Sequence, residues 1–246
     1  MCGITGLIAP NGVSKYVWEL FLNVWSSMEL RGTDASGIAI WLDDGRFFIV
    51  KQPVPASVLS ERIARLRIPL NDVRVVIAHA RAATSGTPLN NENNHPIYEV
   101  LGNELIAVVH NGHVYSYKLS KKREVDTDYF LGLVRDRKEF NDDVIRDTLD
   151  TITGSYAILM SNGKTLYFTR NSNPLEIIQF DDGSVLFASQ FYEHVIGKEL
   201  KQYVRNVEPY KLFKIDANDG EIKLVSELTK AYTFTYAYGY GVKSYE

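Results

Sequence analysis

The chain has one cysteine, at position 2, in the run Met1-Cys2-Gly3-Ile4-Thr5-Gly6-Leu7-Ile8. A methionine followed by a small residue is a good substrate for initiator removal. Cys2 would then carry a thiol and a free α-amine on neighbouring atoms. An α-amine titrates near pH 8, against about 10 for a lysine side chain, so it can serve as a neutral base for its own sulfur. A nucleophile that carries its own base needs no histidine, and the chain has only five. The competing reading is an idle, buried cysteine. The terminal position argues against it, as does Gly3, which is read as leaving space around the nucleophile ahead of a buried strand over 4–9.

Four further places could act on the same substrate. Arg81 follows the apolar, β-branched run 73–79, a buried strand, so a rigid element aims its guanidinium. A planar fork there suits bidentate capture of a carboxylate, and a structural salt bridge explains it equally well. Asn111-Gly112 offers a side-chain amide donor and a backbone donor with no Cβ in the way. Two donors converging on one oxygen make an oxyanion hole. Asn-Gly is also the strongest two-residue turn signal, although 114–118 does not clearly return as a paired strand. Asp126 stands before the acidic first turn of a helix, where N-capping is an alternative role. A carboxylate has about four lone-pair sites, so both can hold. In Arg31-Gly32-Thr33-Asp34-Ala35-Ser36-Gly37, two glycines flank an Arg and an Asp, the mark of a backbone that approaches something closely. A solvated turn is the plain alternative.

The elements that position these residues follow from periodicity. Ser14 caps an amphipathic helix to about Leu30, with Val17, Leu20, Phe21, Val24, Trp25 and Met28 at helical spacing. Strands are predicted at 38–42, 47–50, 73–79 and 105–109, the last ending at His110-Asn111-Gly112-His113. Helices are predicted at 57–66, from 124 to about 135, at 142–151 and at 191–197. Hairpins are predicted about Asn162-Gly163 and Asp181-Asp182-Gly183, and three short strands run on to about Val225. Five tyrosines crowd the last fifteen residues, with Gly239 and Gly241. That composition suits either an interface with a partner chain or a terminal strand.

Composition excludes several classes. The 246 residues are 45% hydrophobic and 23% charged, with net charge −3, ordinary for one globular domain. Near-neutral charge leaves no nucleic-acid or membrane footprint. No apolar run reaches the roughly 18 residues of a membrane span, and no signal peptide is visible. A cytoplasmic location is expected. With one cysteine no internal disulfide forms, and no Cys/His cluster has metal-ligand spacing, so neither metal nor cofactor is expected.

These segments together resemble the class II glutamine amidotransferases, members of the N-terminal nucleophile hydrolases. Mature chains of that family begin Cys-Gly-Ile, as Cys2-Gly3-Ile4 does here. The family pattern Arg-Gly-x-Asp-x-x-Gly is met at Arg31, Gly32, Asp34 and Gly37. Arg-Trp-Ala-Thr-His-Gly is met at Arg81, Ala83, Thr84 and Gly86, with Asn94-His95-Pro96 downstream. Ala82 and Ser85 depart, standing where relatives carry Trp and His. Val109-His110-Asn111-Gly112 matches Val-x-His-Asn-Gly, and Asp126 matches the first Asp of Thr-Asp-Thr-Glu, with Val125 a departure. Later runs match at Gly154, Tyr156, Ala157, Arg170, Pro174, Leu175, Ala188 and Ser189.

The resemblance, over about residues 2–225, implies an α+β fold: a four-layer α/β/β/α sandwich of two mainly antiparallel sheets. It implies an amidotransferase domain at 2–228 and a Tyr-rich tail at 229–246. Cys2 is implied as nucleophile, with Asn111 and Gly112 as oxyanion donors. Arg81 would bind the α-carboxylate of glutamine and Asp126 its α-ammonium, with Arg31 beside the site. Thr84 and Gly102 are carried over as substrate contacts, Gly102 through its backbone. The implied reaction releases glutamate and ammonia through a γ-glutamyl thioester. In relatives the Trp at the position of Ala82 belongs to a loop that closes over glutamine. Relatives also carry an acceptor domain after the amidase, for which no chain remains here, so ammonia is expected to reach an acceptor on a separate protein. A free-standing glutaminase and a non-catalytic glutamine-binding module stay open as alternatives, as does a homo-oligomer.

Overall fold

The computed structural model describes residues 1–228, so the predicted Tyr-rich tail lies outside the described residues. In chain order the elements are β1 (Gly3–Ile8), α1 (Lys15–Ser27), β2 (Ala35–Leu42), β3 (Phe47–Gln52), α2 (Ala56–Ala64), β4 (Val73–Arg81), β5 (Ile97–Leu101) and β6 (Glu104–Tyr115). They continue with α3 (Gly132–Arg137), α4 (Asp142–Asp150), β7 (Thr153–Ser161), β8 (Thr165–Arg170), β9 (Glu176–Gln179), β10 (Val185–Ala188), α5 (Glu193–Lys201), β11 (Arg205–Asn206), β12 (Lys211–Asp216) and β13 (Ile222–Glu227).

The strands form two sheets, ordered β11-β9-β10-β1-β4-β2-β3 and β13-β12-β8-β7-β6-β5. Every described pairing is antiparallel. Central strands are apolar on both parities, and each parity meets a different core. On β4, Val76 and Ala78 pack with Phe21 and Trp25 of α1, whereas Val75 and Ile77 pack with Val109 and Leu159 of the other sheet. On β6, Val109 joins that inter-sheet core, while Ile106 and Val108 pack with Phe130, Val144 and Ile145. Three cores separate four layers, the α/β/β/α sandwich that the resemblance implies.

Ser14 caps α1 as read, its hydroxyl accepting from Val17 N. Two expectations are corrected. β6 does not stop before His110-Asn111-Gly112-His113; it runs through them to Tyr115, because β7 pairs along its whole length down to Tyr115↔Thr153. The segment 124–135 is a 3-10 turn over Asp126–Leu131 followed by α3, not one helix. β5 was not predicted: it is short, follows Pro96 and is largely half-buried, so its pattern is weak.

Candidate active site

Register brings the thiol to its neighbours. β1 lies against β4 with Gly3 opposite Ala80, so Cys2 reaches the end of β4. The Cys2 thiol donates to the Ala82 carbonyl at 3.5 Å. Gly3 does not make room for the sulfur: a Cβ there would lie 2.6 Å from Met28 Cβ, so the glycine admits the end of the α1 segment. The loop after that segment clamps both pieces. Arg31 Nε donates to the Cys2 carbonyl at 2.9 Å. A Cβ on Gly32 would meet Ala82 N at 2.4 Å. Asp34 accepts from Ala83 N at 2.7 Å, and its own N–H donates to the Arg81 carbonyl at 2.9 Å. That loop is thus packed structure, not a solvated turn.

At one end of the site stands Asn111, 1% exposed. Its Nδ2 is buried and has no hydrogen-bond partner, a condition that costs about 1–3 kcal/mol and that few buried donors show. Gly112 beside it has φ 144, and a Cβ there would lie 2.0 Å from the Ser155 carbonyl. Only glycine fits.

At the other end Arg81, 2% exposed, has both terminal nitrogens engaged and no carboxylate in hydrogen-bond contact. Its Nη1 donates to Asn94 Oδ1 at 2.7 Å, and Nη2 donates to the carbonyls of Ser85 at 2.5 Å and Gly86 at 2.8 Å. The salt-bridge alternative is therefore not what the fork does. Asp126 accepts from Val114 N at 2.8 Å and lies 3.4 Å from His113 Nδ1. The N-capping alternative is set aside too: Val125 holds the cap position, and no side chain caps that turn.

Beneath both ends lies a buried cluster that sequence reasoning missed. His79 Nε2 donates to the His110 carbonyl at 3.0 Å, beyond Val108, where the first residue of β5 pairs. The rings of His79 and His95 stack at 4.1 Å. Thr127 Oγ1 lies 2.6 Å from His95 Nε2 and 3.0 Å from His110 Nδ1. His110 Nε2 faces the Ser155 carbonyl at 3.5 Å, so it carries the proton. Thr127 therefore donates to His110 and accepts from His95. Burial pushes His79 down to about 3 and holds His95 and His110 below the ordinary range, so all three are neutral at pH 7. Burial pushes the Cys2 thiol up, opposed by the positive chain terminus and Arg81.

Cys2, Arg81, Thr84, Gly112 and Asp126 line one cavity, with Asn111 next to Gly112 and Arg31 bonded to Cys2. Its free volume, about 20 Å³, holds roughly one water. Gly102 does not join them. It occupies the β5–β6 turn with φ 61, about nine residues of strand from Asn111, and that left-handed turn is the reason for glycine there. A larger cavity of about 570 Å³ lies elsewhere, between Trp41, Phe47, Leu105 and Ala217. Arg46, Arg74 and Lys164 on its wall are each paired with a carboxylate, so it presents no free charge among these. No helix among the described residues is long and apolar enough to cross a membrane.

The family described as class II glutamine amidotransferases matches residues 25–233. Cys2 lies ahead of that span, and its placement rests on the geometry above. The chain is 32% identical over 205 residues to glutamine–fructose-6-phosphate aminotransferase of Pyrobaculum aerophilum, covering 77% of this chain and 33% of that protein. The counterpart from Geobacillus kaustophilus is 32% identical over 208 residues, covering 77% and 32%. The chain thus spans about a third of the length of the curated relatives it matches. Among solved structures it resembles glutamine phosphoribosylpyrophosphate amidotransferase from B. subtilis, with TM-score 0.69 and 20% identity over 92% of this chain and 49% of that one. An allosteric regulatory enzyme of purine biosynthesis gives TM-score 0.70 at 21% identity, with the same coverage. At such identities the likeness is one of fold.

Proposed function

The chain belongs to the class II glutamine amidotransferases, and from that premise we propose that it hydrolyses the side-chain amide of glutamine at Cys2 after loss of Met1. The observation that carries this reading is the Asn111 amide: a buried donor with no partner, beside Gly112 and in the neighbourhood of the chain's one thiol. A donor left unpaired in the resting protein is available to an oxygen that arrives with the substrate.

Cys2 rests as a thiol, since burial raises it. Its freed α-amine takes the proton as sulfur attacks the amide carbonyl, and Asn111 Nδ2 and the Gly112 N–H receive the oxyanion. Collapse breaks the C–N bond; the amine returns the proton to the leaving nitrogen, and ammonia departs from a γ-glutamyl thioester. Water, deprotonated by the same amine, adds to the thioester, and glutamate leaves as the thiol is restored. Arg81 takes the α-carboxylate and Asp126 the α-ammonium, with Thr84 and Arg31 bordering the site. The small cavity and the engaged Arg81 require the loop from Ala82 to Leu89 to move before glutamine enters.

The relatives named as glutamine–fructose-6-phosphate aminotransferases are chains about three times as long as the matched part. We read the matched part as the glutamine half and assign the ammonia to an acceptor bound outside residues 2–228. The experiment is a glutaminase assay on the purified chain, with loss of Met1 verified by mass spectrometry. Equal yields of glutamate and ammonia are expected, and none from Cys2→Ala. Full activity in Cys2→Ala would refute the mechanism.

A further inference from the structure

Asn173 belongs to no segment above, and its side chain ends on the oxyanion site. Its Nδ2 donates to the Asn111 carbonyl at 2.6 Å. A Cβ on Gly112 would lie 2.7 Å from that same nitrogen, so the amide also packs against Gly112. The Asn111 carbonyl and the Gly112 N–H are opposite ends of one planar peptide group. We infer that Asn173 is a positioning residue which fixes and polarises this peptide, making the Gly112 N–H a stronger oxyanion donor.

This rests on the reading in which Gly112 N–H faces the oxyanion. A hydrogen bond to the carbonyl draws electron density from the amide nitrogen and strengthens its N–H, by about 10–30% per bond in cooperative chains. The effect needs a donor held in place, and the loop after β8 holds it. Arg170 Nη1 donates to the carbonyls of Asn171 at 3.1 Å and Asn173 at 3.5 Å, and Arg170 Nε donates to Val207 O at 2.6 Å. Asn171 accepts from Tyr156 N at 2.7 Å and donates to the Gly154 carbonyl at 2.7 Å, tying the loop to β7. The loop is therefore anchored just ahead of Asn173 and at its carbonyl, and Asn171 ties it to the strand that pairs with Asn111 and Gly112. The position calls for a donor. Aspartate there would set a carboxylate against the carbonyl oxygen.

The test uses the full chain, ¹⁵N-labelled, as wild type and as Asn173→Ala, with Asn173→Ser as the second variant should the first not fold. Serine is too short to span the same gap. Loss of a bond to the Asn111 carbonyl moves the Gly112 amide nitrogen upfield while amides remote from the site stay put. In steady state, kcat for glutamine falls about tenfold, less than the ~10²–10³ for deleting a donor outright, and KM changes less than twofold. Affinity for the aldehyde analogue of glutamine, which forms a tetrahedral adduct with the thiol, falls with kcat, while affinity for glutamate holds. An unmoved Gly112 resonance overturns the inference whatever the assay gives, and so does a loss of kcat matched by an equal loss of glutamate affinity. A wild-type chain inert to glutamine refutes the proposed function instead, and the Gly112 resonance still decides whether the peptide is polarised.

Discussion

The two ends of the site differ in what they do before substrate arrives. At the Asn111 end a buried amide has no partner. At the Arg81 end a buried guanidinium holds three, from Asn94, Ser85 and Gly86. An unpaired buried donor costs stability, whereas an engaged guanidinium contributes it. In the proposed mechanism the Asn111 end is thus organised in advance for the transition state and would bind it without rearrangement. In the same mechanism the Arg81 end would exchange protein oxygens for a carboxylate, which would set how tightly glutamine is held rather than how fast it reacts. The ends should separate in kinetics, the first in kcat and the second in KM.

The sharpest break of this contrast is at Asn111. Asn111→Leu, which keeps the branched outline of the side chain, should lower kcat by about 10²–10³ with little change in KM. It should also leave the thermal midpoint at or above that of wild type, because it removes an unsatisfied donor. Steady-state kinetics and a thermal melt check both halves. A clearly lowered midpoint would mean the amide has a structural partner after all.

Next in size is Arg81→Lys. An ammonium cannot span Asn94, Ser85 and Gly86 or grip a carboxylate with two parallel bonds. KM should rise by about tenfold to a hundredfold, kcat should fall less, and stability should drop, as a urea titration beside the kinetics would record. An unchanged KM would remove Arg81 from the substrate.

The histidine floor serves both ends, through His79 on the His110 carbonyl and through Thr127 beside Asp126. Below pH 6.5 the unfolded chain takes up a proton that folded His79 refuses until about pH 3, so stability falls as pH drops through that window. Between pH 7 and 5 the loss from His79 alone is about 2 kcal/mol, and His95 and His110 act in the same direction. Urea midpoints at the two pH values measure it. His79→Gln, whose amide can take over the donor to His110, should remove about that share.

What was legible in the chain was whatever carries its signal locally. Cys2 was marked by position, Arg81 by the apolar strand it ends, and the layers by strands apolar on both parities. Asn111-Gly112 shows the limit of a local signal: the pair reads as a turn by propensity, yet β7 draws it into an unbroken strand. Gly3 stands beside the sulfur in sequence, but a Cβ there would meet Met28, 25 residues on. Thr127 and Asn173 have no local signature. Their partners His110 and Asn111 are 17 and 62 residues away, and only the sandwich brings them together. Asp34, legible as part of a glycine-flanked loop, gave no sign that it would accept from Ala83, 49 residues on.

The smallest effect expected tests whether Arg81's partners compete with substrate. Asn94 accepts from Arg81 Nη1 and donates through Nδ2 to the Pro88 carbonyl at 2.7 Å and to Asn91 Oδ1 at 2.9 Å, so it ties the guanidinium to the loop that must move. Asn94→Asp keeps the shape but turns a neutral acceptor into a charged one, about doubling the strength of that bond. The carboxylate of glutamine then meets a guanidinium already neutralised, and KM should rise about three- to tenfold, roughly 1 kcal/mol. kcat should stay within twofold, because nothing near Asn111 changes. The variant also loses the two donations that hold the loop, which favours opening and opposes the rise in KM. Asn94→Ala separates these effects: it removes the loop ties without adding charge, so its KM should lie at or below that of wild type. If both variants raise KM equally, loop order controls binding, and competition for the fork does not.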